Sequence, residues 1–291
     1  MNTKKDKWII GVDLDGTVLM SWDGKIDENG SRIDRIHPLT ERVIKELTNQ
    51  GHVIVIDTGR NWYESKRIYK QLGLNSYIIN SAGAHIHNPS DKNAKQFIIG
   101  VPNKLIKEII NDEIWRDHIE QVFVDDLNQT YMQIFKRTKF VDLSSRFWDV
   151  KEHDGNFDFD SQCIVATLNL NREQIQPILN YLRDKYGETI NFANWTGTDE
   201  HIGIEFNPSN SNKGTALLQV ADELGIPRDN TMGIGDAEND LDLLKLVKHG
   251  VVMKNGLDYV RQHAQYETKK DNDEGGVGDF LQSFFLEGEE E

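Results

Sequence analysis

The sequence predicts an α/β fold: a parallel sheet covered by helices, interrupted by an inserted unit with strands and helices of its own. Three observations carry that prediction. Short apolar runs alternate with stretches of helical period at both ends of the chain. Those runs close on polar residues (Asp13, Thr58, Asn80, Asp236), where site residues stand in parallel sheets. Between the two ends, 84–196 holds too many elements for a single crossover connection.

In chain order, 8–12 is a continuous apolar run, read as a buried strand ending in Asp13-Leu14-Asp15-Gly16-Thr17. Residues 38–50 place Leu39, Val43, Ile44 and Leu47 at helical spacing, with Pro38 in the first turn and Gly51 just past the end. The strand 52–56 closes on Asp57-Thr58-Gly59-Arg60, Gly73 stops a helix over 62–72, and 77–79 is a third strand. The middle unit offers strands at 121–124, 131–135 and 162–170, helices at 103–115 and 173–186, and a loop at 154–160. The first pattern then resumes with a strand at 201–206, a helix at 212–224, a strand at 231–234, a helix at 241–247, a strand at 250–253 and a helix at 277–286. The acidic end, 287–291, reads as a solvated tail. The division that follows is a core of 1–83 and 197–291 and an inserted α+β unit of 84–196.

Composition narrows the function classes. The 291 residues suit one large or two modest domains at roughly 150 residues each. A net charge of −15 argues against nucleic acid and membrane surfaces as partners, since both need broad basic patches. It leaves open a small anion, which a few local cations can hold. Hydrophobic residues at 37% and charged residues at 28% exclude wholesale disorder. Cys163 is the single cysteine, so no internal disulfide forms, and no cysteines back the nine histidines in a structural zinc site. The apolar run at 8–12 is too short for a secretion signal, and no stretch approaches the ~18 apolar residues of a membrane span. The expectation is a soluble, cytoplasmic protein, monomeric or weakly homo-oligomeric.

Four stretches carry chemistry. Asp13 and Asp15 leave a strand on the same side, and two close carboxylates call for a proton or a hard cation such as Mg²⁺. Gly16 lets the chain turn away. Thr58 followed by free backbone N–H groups can hold a phosphate oxygen; a plain turn with a helix cap reads equally from those residues. Lys213 stands at a predicted helix start, where the dipole disfavours a cation unless an anion sits beside it. Gly235-Asp236-Ala237-Glu238-Asn239-Asp240 sets three carboxylates and an amide just after a strand, suited to capping or to a metal and its support.

In that order and placement the four stretches resemble the haloacid dehalogenase superfamily, specifically its Cof-type (subclass IIB) phosphatases. Their motifs are DxDGT, a Thr or Ser after the second strand, a Lys before a helix, and GDxxND; here these are Asp13 to Thr17, Thr58, Lys213 and Gly235 to Asp240. The resemblance implies a Rossmann-like core with an inserted C2-type α+β cap between the second and third motifs. It implies Asp13 as the nucleophile that becomes an aspartyl phosphate, and Asp15 as the acid and then the base. Mg²⁺ would be held by Asp13, the carbonyl of Asp15 and Asp236, with Asp240 supporting them. Thr58, Gly59, Lys213 and Asn239 would bind the phosphoryl group. The implied partner is a small phosphorylated metabolite, a sugar phosphate first among the candidates. Alternatives are a hexose phosphomutase of the same superfamily and a non-catalytic phospho-ligand-binding protein.

The chain departs from the family pattern in two places. Ala82 stands where an Asn is usual after the third strand, so Asn80 is a candidate to replace its contact. Asp57 stands where a small apolar residue is usual, and capping the next helix is the role open to it. Arg60 is expected to contact substrate or to pair at that helix start. His85 and His87 are read as a solvated strand face.

Overall fold

The computed structural model describes residues 6–287 except 29–31, 128, 140, 143–149, 157, 171 and 196–200. Most of the expected tail at 287–291 therefore lies outside the described residues.

Five strands form the parallel sheet: β1 (Ile9–Val12), β2 (Val53–Ile56) and three from the C-terminal part described below. β1 is fully buried and lies between helical layers, as its unbroken apolar character requires. Helix α1 (Pro38–Asn49) starts where His37 accepts a hydrogen bond from the Leu39 amide at 3.2 Å. It buries Thr40, Val43, Ile44 and Leu47, the residues its spacing brings to one face. Helix α2 (Trp62–Gln71) is capped by Asn61, which accepts from the Glu64 amide at 3.0 Å. Asp57 therefore does not cap it.

β3 (Ile78–Asn80), one residue later than expected, touches the parallel sheet through the bridge of Ile79 to Asp57. It then pairs antiparallel with β4 (His85–His87), which pairs with β5 (Phe97–Ile98), making a small second sheet. His85 is 4% exposed, so the pair is not a solvated face. The two rings stack 4.2 Å apart.

The inserted unit carries a six-stranded sheet in the order β10-β11-β9-β6-β7-β8. Its strands are β6 (Ile119–Asp125), β7 (Thr130–Ile134), β8 (Val150–Glu152), β9 (Ile164–Leu168), β10 (Ile190–Trp195) and β11 (Ile202–Pro208). Helices α3 (Asn103–Ile110) and α4 (Arg172–Tyr186) supply residues to the core beside this sheet. α3 ends well before 115. Asp112 turns the chain there by accepting from the Ile114 amide, and is itself anchored by Lys185 Nζ at 2.7 Å and the Tyr186 hydroxyl at 2.9 Å.

β11 corrects the sequence reading. The strand expected at 201–206 was assigned to the core, yet it pairs antiparallel with β9 and β10. Its run Ile202-Gly203-Ile204-Glu205-Phe206 suits any half-buried strand, and only the long-range pairing decides its sheet.

The parallel sheet resumes with α5 (Lys213–Glu223), β12 (Thr231–Gly235), α6 (Leu241–Leu246), β13 (His249–Val252), β14 (Tyr266–Glu267) and α7 (Gly276–Leu281). The order is β14-β13-β12-β1-β2, so β1 and β12 are central neighbours and their C-terminal ends open onto one place. No helix among the described residues is long and apolar enough to cross a membrane.

Candidate active site

The loops after β1, β2 and β12 and the start of α5 meet at that opening. Asp13 follows β1 and is 5% exposed. Its Oδ1 accepts from Lys213 Nζ at 2.6 Å. The same ammonium donates to Asp240 Oδ1 at 2.7 Å, and Lys213 has no exposed surface. The anion that a lysine at a helix start calls for is thus supplied by the protein. Burial works against the Lys213 charge, but the carboxylates of Asp13, Asp240 and Asp57 raise its pKa and hold it protonated.

Asp240 is held by three donors. Its Oδ2 accepts from the amides of Asp236 at 2.9 Å and Ala237 at 3.0 Å, while Oδ1 takes Lys213. It shapes the loop and aims the lysine. Asp236 accepts from the Thr17 hydroxyl at 2.8 Å, which ties the first stretch to the last. Gly16 is required here: its φ is +76°, and a Cβ would stand 2.4 Å from Asp236 Oδ2. Burial, then the Asp240 charge, push the Asp236 carboxyl up to about 7. Burial likewise raises Asp13, with Asp240 and Asp236 adding to it and Lys213 opposing.

These groups fit a hard divalent cation. Asp13, Asp236 and Asp240 each bring an oxygen within 4.8 Å of the others, and all the donors are oxygens. Asp57 adds a fourth carboxyl, fully buried, with neither oxygen hydrogen-bonded among the described residues. Burial, with Asp240 and Asp13 nearby, raises its pKa well above the carboxylate range and favours the neutral form. Asp13, Asp236 and Asp240 thus crowd around one ammonium, and burial and mutual repulsion raise Asp13 and Asp236, a strain that a bound cation would relieve.

Thr58 is buried beside this cluster; its Oγ1 accepts from the Arg60 amide at 3.2 Å. Gly59 adjoins Asn239, whose amide nitrogen would be 3.9 Å from a Cβ at that glycine. The loops holding Thr58, Gly59 and Asn239 therefore meet. Asp15 lies apart from the buried cluster, with its side chain 49% exposed. Burial would raise its pKa, but the Arg60 guanidinium, hydrogen-bonded to it, and Arg32 hold it below the usual value.

Asn80, the residue expected to make up for Ala82, is buried and hydrogen-bonded. Its Nδ2 donates to the Arg60 carbonyl and to Ser65 Oγ, both at 2.9 Å, bracing the second stretch. Sequence reasoning missed Thr17 as the link to Asp236. It also missed Asn255, whose Nδ2 donates to the Gly16 carbonyl at 2.7 Å. The signal available for Asn255 was its place just after a core strand, beside a glycine.

A parallel α/β core that gathers carboxylates and a buried lysine at its strand ends, next to an inserted α+β unit, is built as a capped hydrolase. The chain belongs to the haloacid dehalogenase-like hydrolase family, whose model matches residues 10–281. It is 29% identical over 286 residues to a 5-amino-6-(5-phospho-D-ribitylamino)uracil phosphatase of Bacillus subtilis, covering 98% of this chain and 99% of that one. It is 25% identical over 255 residues to an HMP-PP phosphatase of Yersinia pestis, covering 86% and 85% of the two chains. A solved haloacid dehalogenase-like hydrolase from Bacteroides thetaiotaomicron shares the fold with a TM-score of 0.76, at 20% identity and coverage of 97% and 100%. Family and relatives place the chain among the Cof-type enzymes, as a phosphoric monoester hydrolase.

Proposed function

We propose that the chain hydrolyses small phosphomonoesters with Mg²⁺, through an aspartyl phosphate on Asp13. The observation that carries this reading is Lys213 Nζ, fully buried, donating to Asp13 Oδ1 at 2.6 Å and Asp240 Oδ1 at 2.7 Å. A permanent positive charge beside the nucleophile is what a phosphoryl group needs on arrival.

Asp13 attacks phosphorus through the oxygen that Lys213 does not occupy. The bond from phosphorus to the leaving oxygen breaks, and Asp15 gives that oxygen its proton. Water then attacks phosphorus and gives a proton to Asp15; the bond to Asp13 breaks and inorganic phosphate leaves. Thr58, Gly59, Lys213 and Asn239 hold the phosphoryl oxygens throughout. Asp13, the Asp15 carbonyl and Asp236 are the residues that would hold Mg²⁺, with Asp240 behind them. When bound, the ion supplies charge neutralisation at the phosphoryl oxygens.

The inserted unit acts as the cap, and the pairing of β11 supports extending it to Pro208 rather than ending it at 196. Its carboxyls favour a leaving group rich in hydrogen-bond donors. Asp125, beside Glu64, and Glu205, within reach of the Lys213 charge, lie towards the core, and carboxyl oxygens there accept from hydroxyl groups. Sugar and polyol phosphates are that class, and the ribityl phosphate in the name of the B. subtilis relative belongs to it.

Replacing Asp13 with Asn tests the reading. With p-nitrophenyl phosphate and Mg²⁺, turnover is expected to fall by on the order of 10⁴-fold or more. Turnover that survives the change excludes Asp13 as nucleophile.

A further inference from the structure

Arg60 was expected to touch substrate or to pair at the start of α2. Its side chain does pair just before that helix, and with two aspartates. Nε donates to Asp15 Oδ2 at 2.7 Å and Nη2 to Asp15 Oδ1 at 2.7 Å, a two-pronged grip. The rest of the fork is held from behind: Nη1 donates to Asp34 Oδ2 at 2.6 Å and Nη2 to Asp34 Oδ1 at 3.2 Å. The Asp34 side chain is 8% exposed and also accepts from Arg32 Nε at 2.9 Å. Arg32 closes the ring by reaching Asp15 Oδ1 at 3.2 Å. The main chain of Arg60 is fixed too, since its carbonyl accepts from the Ser81 amide at 3.1 Å and from Asn80.

A half-exposed aspartate on a loop samples several rotamers, and a proton carrier must present one oxygen at one place. The ring supplies that constraint. Among the described residues, Asp15 Oδ1 receives two donors whereas Oδ2 receives Arg60 Nε alone, which leaves Oδ2 a lone-pair site. We infer that Arg60, braced by Asp34, is a positioning residue for proton transfer: it fixes Asp15 in one orientation, with Oδ2 as the atom that carries the proton. The inference rests on the reading of Asp15 as acid and base given above. Each proton leaves Oδ2 for the departing oxygen as the P–O bond breaks, and is replaced from the attacking water. Lysine cannot substitute, because a single ammonium lacks the planar fork that engages both aspartates at once.

The test is the dependence of kcat/KM on the leaving group, measured with ring-substituted phenyl phosphates at saturating Mg²⁺. p-Nitrophenolate departs with little need of a proton, whereas phenolate needs one more. Arg60→Lys and Asp34→Asn are expected to steepen that dependence: phenyl phosphate should lose ~10- to 100-fold more than p-nitrophenyl phosphate. Two variants are used so that one folding defect does not decide the result, and melting curves accompany both. An equal loss with every substrate, or no loss, overturns the positioning role. Asp15→Asn separates the layers. If it steepens the dependence and the other two do not, Arg60 alone is misassigned. If Asp15→Asn does not steepen the dependence and slows all substrates alike, the reading of Asp15 as the acid falls, and this inference falls with it.

Discussion

A fully buried lysine, a buried aspartate and a stacked histidine pair set the electrostatics of this protein residue by residue. Burying the Lys213 ammonium costs several kcal/mol per ion unless partners surround it, and Asp13 and Asp240 do so at 2.6 and 2.7 Å. The histidines follow the opposite rule. Burial holds His87 down to about 4 and, with His87 beside it, His85 down to about 3, so the fold takes both rings neutral. Gln96 Nε2 lies 2.7 Å from His85 Nε2, and Asn80 Oδ1 3.2 Å from His87 Nε2, both of which neutral rings accommodate. Unfolded histidine takes up a proton near pH ~6.5, so the unfolded chain binds more protons below that value. The stability these rings contribute is complete above about pH 6.5 and drains away as pH falls towards 4. At pH 5 the expected loss is on the order of 1–2 kcal/mol per histidine. Urea midpoints at pH 7 and pH 5 should therefore differ less in a His85→Asn/His87→Asn double variant than in the parent; an unchanged difference would refute the assignment. None of this was legible in the sequence, where alternation of His with Ala and Ile around β4 reads as a wet strand face. Burial there comes from β5 and α2, elements that the local pattern does not reveal.

At the scale of elements, the turn between β3 and β4 does the most with the fewest residues. Ser81, Ala82 and Gly83 have φ of 49°, 50° and 97° in succession. The left-handed region costs a non-glycine residue roughly 1–2 kcal/mol, so this geometry is imposed by its surroundings. The surroundings are the site: the Ser81 and Ala82 amides donate to the carbonyls of Arg60 at 3.1 Å and Thr58 at 3.0 Å. Gly83 lies so close to Asn212, the cap of the lysine helix, that a Cβ would stand 2.6 Å from its carbonyl oxygen. One turn thus braces the second and third stretches together. Ala82→Gly should relieve strain rather than loosen the chain. It is expected to be neutral or to stabilise by up to about 1 kcal/mol in urea unfolding, against the usual cost of about 1 kcal/mol for Ala to Gly elsewhere. A loss of 1 kcal/mol or more would show that the turn is not strained. Helices and central strands were legible because burial imposes period and caps: Pro38, Asn61, Asn212 and the glycines after them mark the ends within a residue or two. The two- and three-residue strands β3 to β5 and β14 carry too few residues for any period to show.

Across the whole molecule, the core and the inserted sheet meet just past the second stretch. Asn61, the cap of α2, donates from Nδ2 to Thr130 Oγ1 at 2.8 Å, and that hydroxyl donates to Asp125 Oδ1 at 2.6 Å. The inserted unit is thereby joined to the helix that follows the second stretch. The alternation of strands and helices was enough to read the core and the existence of the insert. The pairing of β11 with β9 and β10 was not legible, because sheet membership depends on partners elsewhere in the chain. The convergence of Asp13, Thr58, Lys213 and the pair Asp236 and Asp240 was legible as four stretches ending strands or starting a helix, but the Thr17 link and the Arg60–Asp34 brace were not. Asp34 and Arg32 belong to an irregular segment between β1 and α1, where no spacing rule applies. The central claim is that this convergence makes Asp13 a phosphoryl acceptor. Its most direct measurement is to quench the enzyme in acid during turnover, reduce with borohydride, and map the peptides by mass. An aspartyl phosphate is reduced to homoserine, so homoserine at position 13 is the predicted result. Homoserine at another aspartate, or none at position 13 under conditions that trap a control acyl phosphate, would contradict the account.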